Sequence, residues 1–144
     1  MIFSIKFRPV DNDVNNNGER PGIIILADFQ ETFVASLIYW EVKDYENHWR
    51  TALERLVRGD DSCLITSLTD PKTANFLDWW PIYRNQEVAV FQNHLLFLDT
   101  LPRVFTPDNP YQFIPEHRTK TDEGGEISEW TVPVKDIEEF LAQP

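Results

Sequence analysis

The chain has 144 residues, 42% hydrophobic and 13% aromatic, which fits one folded α+β domain over residues 1–144 and excludes a disordered chain. Thirteen Lys and Arg against 24 Asp and Glu give a net charge of −11; that field disfavours direct binding of nucleic acid or anionic lipid and favours basic partners, besides aiding solubility. One cysteine, Cys63, permits no internal disulfide, and no apolar run approaches the roughly 18 residues of a membrane span.

The amino terminus alternates as a strand over residues 2–8, with Phe3, Ile5 and Phe7 on one face and Pro9 ending it. It lacks the basic and then apolar regions of a signal peptide, so a cytoplasmic location is expected. Asp11 to Gly22 reads as a polar loop. Its Asp11-x-Asp13-x-Asn15 opens like a calcium loop, but Asn16 stands where glycine is needed and Gly22 where a bidentate Glu is needed. No metal or cofactor is expected. Ile23 to Ala27 is a short buried strand, turning through Asp28–Glu31 into a second strand over 32–42. Both faces of that second strand are largely apolar, which predicts a central position covered on both sides.

The period then changes. Tyr45, Trp49, Ala52, Leu53, Leu56 and Val57 mark one stripe of an amphipathic helix over 45–57, with Asp44 as N-cap and Gly59 at the left-handed C′ position. His48 falls at the edge of this stripe, which suits packing better than catalysis. Ser62 to Leu68 is a further strand carrying Cys63, read as a buried, inert thiol. Residues 72–81 are expected to form a helical turn. Ile82–Arg84, Glu87–Gln92 and Leu95–Leu98 follow as a β-meander with turns at Asn85-Gln86 and Asn93-His94.

The proline-rich stretch 99–121 reads as irregular surface chain pinned by Val104, Phe105, Tyr111, Phe113 and Ile114. Gly124-Gly125 is a loop tip, Glu126 to Val132 alternates as a strand, and Val134 to Leu141 is a short closing helix with Pro133 at its start. The fold expected is a mainly antiparallel central sheet packed by the 45–57 helix and a second helix at about 134–142.

Catalytic signatures do not emerge. His48, His94 and His117 are scattered, and there is no metal-ligand pair, phosphate-binding glycine loop or nucleophile elbow. Charge is more informative. Residues 122–144 hold seven acids against Lys135, so −6 of the −11 lies there. Asp136, Glu138 and Glu139 suit the start of a helix, whereas Asp122, Glu123 and Glu126 flank the Gly-Gly tip without such a structural reason. Trp40, Trp49 and Trp130 suit the core. Trp79-Trp80-Pro81 differs: two adjacent indoles are hard to bury on one side, so one is expected at a surface or groove as an interface anchor.

Several of these features together are familiar: Tyr39-Trp40, Tyr45-x-x-x-Trp49-x-x-Ala52-Leu53-x-x-Leu56, Leu64-Ile65-Thr66, Trp80-Pro81-x-Tyr83-Arg84, Gln92-Asn93, Ile114-Pro115-x-x-Arg118, and Ile127-Ser128-Glu129-Trp130 leading to Asp136-Ile137-x-x-Phe140-Leu141. The pattern, over about residues 31–141, resembles the immunity proteins of bacterial contact-dependent growth inhibition (CDI) systems. The resemblance implies a non-enzymatic protein that binds the effector domain of a cognate toxin, often a nuclease, and occludes its active site or substrate groove. An acidic surface would imitate the phosphate track that such a nuclease grips. From charge and loop position, the toxin-binding candidates are Asp60, Asp61, Asp122, Glu123, Glu126 and Glu129, with Trp79 as an anchor. The rival readings are a ligand-binding or enzymatic domain with an aromatic pocket where Tyr39, His48 and Arg118 converge, and an adaptor for another basic protein.

Overall fold

The computed structural model of the protein describes residues 2–9 and 18–143. The Asx-rich segment with Asp11, Asp13, Asn15 and Asn16 lies outside the described residues. The chain runs β1 (Phe3–Phe7), β2 (Glu19–Leu26), β3 (Phe29–Ser36), α1 (Val42–Val57), β4 (Ser62–Ser67), β5 (Phe76–Asn85), β6 (Val88–Phe91), β7 (His94–Phe97), β8 (Trp130–Pro133) and α2 (Val134–Leu141). The fold is α+β and every strand pairing is antiparallel. The strands divide into two sheets. One has the order β1-β2-β3; the other has the order β4-β5-β6-β8, with β7 continuing along β5.

The first sheet corrects two expectations. Residues Glu19 to Gly22 are strand, not loop, because Arg20, Pro21 and Gly22 pair with Ala35, Val34 and Phe33. Gly22 permits this packing: a Cβ there would stand 2.4 Å from the Phe33 ring. β3 is an edge strand rather than a central one, and it ends at Ser36, before the turn at 37–40. Its outer face is wet, with Val34 exposed and Ile38 beyond it at 80%. The apolar run Leu37 to Trp40 has strand-like composition, but here tertiary packing outweighs propensity. Trp40 turns back edge-to-face onto Tyr45, with ring centroids 5.0 Å apart.

Helix α1 begins three residues earlier than expected. Glu41 is the N-cap, and Asp44 sits at N3, where its carboxylate accepts the Glu41 N–H at 2.9 Å as half of a capping box. Gly59 does take the left-handed C′ position, with φ +112°. The buried stripe is Tyr45, Trp49, Ala52, Leu53 and Leu56, as its periodicity predicts. At the carboxyl end, Arg84 Nη1 donates to the carbonyls of Leu56 (2.8 Å) and Val57 (2.9 Å), satisfying two acceptors that a helix end leaves open.

β5 begins at Phe76, so residues 76–81 are strand and not a helical turn. On the side away from β4, its partners form a single ladder: Arg84 opposite Ala89, Ile82 opposite Phe91, Trp79 opposite His94 and Phe76 opposite Phe97. Pro81 explains the break between β6 and β7. Its carbonyl accepts the Gln92 N–H at 3.0 Å, but it has no N–H to return. Asn93-His94 therefore does not turn.

Trp79 and Trp80 are each only 1% exposed. Adjacent residues on a strand point to opposite faces, and here both faces are covered. Trp80 packs toward the first sheet beside Trp130, while Trp79 lies under the coil that follows β7. That coil is anchored by buried Phe105 and Phe113, whereas Val104, expected to help pin it, is 76% exposed. Cys63 is buried, and burial raises its thiol well above its ordinary value.

Candidate functional site

The free edge of β4 runs along α1, and three helix side chains close it, with Ser62 of β4 reaching back to the helix. Tyr45 Oη donates to the carbonyl of Ser36 at 2.7 Å and accepts the Leu68 N–H at 2.9 Å. His48 Nε2 accepts the Ile65 N–H at 2.8 Å, and Trp49 Nε1 donates to the Ile65 carbonyl at 2.8 Å. Ser62 Oγ donates to the Ala52 carbonyl at 2.7 Å. An open sheet edge is thus paired by helix side chains instead of another strand. Burial lowers His48 to about 3, so the ring is neutral, with its proton on Nδ1.

His48 lines a groove with Trp40 and Tyr111, whereas Arg118 lines a different one with Trp79 and His94. Tyr39 stands half-exposed in the turn after β3 and lines neither. The three residues proposed to converge in an aromatic pocket do not.

A second polar cluster sits across the sheet from β4. Gln92 is buried and acts as its hub. Its Nε2 donates to Glu129 Oε1 at 2.7 Å and to the Arg118 carbonyl at 2.9 Å, while its Oε1 accepts from His94 Nε2 at 2.7 Å. His117 Nε2 donates to the same Glu129 oxygen, and its ring stacks on Tyr83 with centroids 4.5 Å apart. Tyr83 Oη donates to the Pro115 carbonyl at 2.9 Å. Burial, with added repulsion from Asp61 and Glu129, raises Tyr83 to about 12. Burial and the Arg118 charge lower His94. The cluster ties the coil at 115–118 to the sheet. Each of its groups already has a structural partner, and among the described residues no three His, Cys, Asp or Glu side chains are placed to hold a metal ion.

The predicted acids separate into two places. Asp60 and Asp61 precede β4. Asp61 Oδ1 accepts the Arg84 N–H at 2.9 Å and so extends the ladder, while Asp60 is exposed. Asp122, Glu123 and Glu126 lie on a small hairpin that precedes β8, the strand at the other end of the order. The Ile127 N–H donates to the Thr119 carbonyl at 2.9 Å, Lys120 pairs with Glu126, and Gly124 turns the tip at φ +87°. All three acids are exposed; the Asp122 side chain is 89% accessible and meets Arg118 at 2.9 Å. Glu129 belongs to the polar cluster and is half-buried. Asp60 and Asp61 thus lead into the strand at one end of the order β4-β5-β6-β8, and the hairpin precedes the strand at the other. Trp79 lies in a groove, as expected for one of the two indoles, but offers almost no surface there.

Sequence reasoning missed the hub Gln92 and its partners His94 and His117. It also missed three neighbouring exposed apolar residues, Phe76, Leu95 and Phe97, because Leu95 to Leu98 is apolar at every position and carries no sign of which face is open.

Comparison with known proteins adds to this geometry. The family described as the CdiI N-terminal domain matches residues 35–140. A protein named immunity protein CdiI, from Enterobacter cloacae subsp. cloacae, is 33% identical over 130 residues, covering 88% of this chain and 89% of that protein. A chain from the CdiA-CT/CdiI toxin and immunity complex of Enterobacter cloacae superposes with a TM-score of 0.86 at 30% identity, covering 97% of this chain and 96% of that one.

Proposed function

The chain belongs to the CdiI immunity protein family, and from that premise we propose that it binds the effector domain of a cognate CDI toxin and neutralises it by occlusion, without catalysis. The effector is a nuclease, and an acidic surface of this chain covers its active site or its basic substrate groove.

The observation that carries this reading is the projecting hairpin at 119–127. It presents Asp122, Glu123 and Glu126 to solvent in a chain of net charge −11. Exposed carboxylates at a tip have little stabilising role, but they raise the rate at which a basic surface is encountered. Asp60 adds a second exposed acid at the far edge, and Asp61 and Glu129 combine charge with a fixed position. The complex in which the related Enterobacter chain was solved supports a toxin as the class of partner.

The test is co-expression in bacteria with the toxic domain encoded beside this chain, followed by a salt titration of the purified pair. Growth rescue with a tight complex that weakens at high salt is the expected result. Tight binding indifferent to salt would keep the inhibitor and discard the acidic mechanism. Failure of both rescue and binding would overturn the reading.

A further inference from the structure

The second sheet extends beyond the first. Phe76 lies opposite Phe97 and Asp78 opposite Leu95, so these four side chains share one face of the sheet. It is the face that carries Trp80, which the first sheet covers. At the Phe76 end that cover stops. Phe76, Leu95 and Phe97 are 45%, 47% and 49% exposed, and the two Phe rings are 6.1 Å apart. Contiguous exposed apolar groups of this size mark interaction sites more often than isolated ones do.

The patch adjoins a groove of about 200 Å³ between β3 and β5, lined by Glu31, Asp78, Thr66, Trp80 and Asn93. Among the described residues, two carboxylates line this groove and no Lys or Arg does. Asn93 Nδ2 donates to Glu31 Oε2 at 2.8 Å and fixes that carboxylate in place. Burial raises both Glu31 and Asp78. A cation entering the groove would relieve that cost.

We propose that the overhang of Phe76, Leu95 and Phe97, with the acidic groove beside it, is the anchoring surface for the toxin, and that it receives an apolar side chain flanked by a Lys or Arg. This rests on the immunity reading and gives it a location that is separate from the charged hairpin. Charge complementarity selects the occupant. A second copy of this chain would set its own Asp78 and Glu31 against the same pair, and two chains of −11 repel. A basic toxin surface meets neither cost. The division of labour follows: the hairpin steers encounter, and the overhang sets the dissociation rate.

The experiment is calorimetric titration of the full chain with the effector domain encoded beside it, comparing wild type with Leu95→Ser/Phe97→Ser and with Asp78→Asn. The double variant should weaken binding by about 100-fold through faster dissociation. Asp78→Asn should weaken it by roughly tenfold and lower its salt dependence. Thermal melts check that each variant is folded. As a measurement independent of the variants, hydrogen exchange on the wild-type complex should show new protection over 76–78 and 94–97.

Tight wild-type binding that the double variant leaves unchanged, or exchange unchanged over those segments, overturns the anchoring surface and leaves the immunity function standing. Wild-type sedimentation as a dimer that the double variant dissolves overturns it in favour of a self-interface. Absence of any wild-type complex fails the immunity reading itself, and the anchor with it.

Discussion

The two sides of the second sheet solve the same problem in opposite ways. At β4 the edge is closed. A phenol, an imidazole, an indole and a serine hydroxyl take up backbone groups of the strand or its helix, and the stripe of α1 covers what remains. At β7 the ladder is paired only with β5, and the flanking face holds three half-exposed apolar side chains that nothing in the described chain covers. A residue's chemistry is therefore a poor guide to its role. The histidine, tyrosine and tryptophan at this edge bind backbone groups, while plain Leu and Phe make up the exposed overhang. The polar edge should govern stability and the apolar overhang binding.

The largest effect expected on the closed side comes from Trp49→Ala. It removes a side chain only 3% exposed that packs tilted on Phe7 at 4.9 Å and contacts Phe33 edge-on, and it leaves the Ile65 carbonyl without its donor. A loss of about 3–5 kcal/mol is expected from the cavity and the orphaned acceptor together. Urea denaturation measures it, and a loss below about 1 kcal/mol would mean that the β4 edge is sealed by something other than α1.

Much of the closed side was legible in advance. The stripe from Tyr45 to Leu56, the alternation in β1 and the apolar run of β4 each repeat with the period of their element, and all three are where the pattern puts them. What escaped was set by distant partners. Leu37 to Trp40 has the composition of a strand, but Trp40 packs onto Tyr45 and His48, so the chain turns. Pro81 ends the stretch expected as a helical turn, yet β5 passes through it because the gap it leaves falls between β6 and β7. Gln92 meets Glu129 across 37 residues of sequence, and no local spacing encodes that meeting. Of the predicted site acids, exposure could be guessed from their loops. Their division between two edges of the sheet could not, because strand order is a property of the whole fold.

His48 provides a pH test of the same edge. Its imidazole titrates near 6.5 when unfolded and at about 3 when folded, because protonation would charge a buried ring; it would also remove the acceptor for the Ile65 N–H. Below pH 6.5 the unfolded chain binds the extra proton and the native chain does not, so stability falls as pH drops from 6.5 toward 3 and is fully present above that window. The slope from this one group is at most about 1.4 kcal/mol per pH unit. His48→Gln, which keeps a side-chain acceptor without this titration, should show a shallower acid loss in urea midpoints measured between pH 6.5 and 4.5. Parallel profiles for the two proteins would show that His48 does not report on the edge.

The smallest effect on stability, and the sharpest contrast with Trp49, belongs to the hairpin. Asp122→Asn, Glu123→Gln and Glu126→Gln together change only exposed groups, and the single ion pair they break among the described residues, Asp122 with Arg118, is a surface pair. Stability should stay within about 0.5 kcal/mol of wild type. Steering is a rate effect screened by salt, with a Debye length near 8 Å at physiological ionic strength. The triple variant should therefore associate with the toxin domain about tenfold more slowly at low salt, and at nearly the wild-type rate at high salt, with dissociation unchanged. Stopped-flow association at several salt concentrations separates the two roles. A change in dissociation instead would place these carboxylates inside the contact, and the hairpin would then have to be counted with the overhang as part of one binding surface.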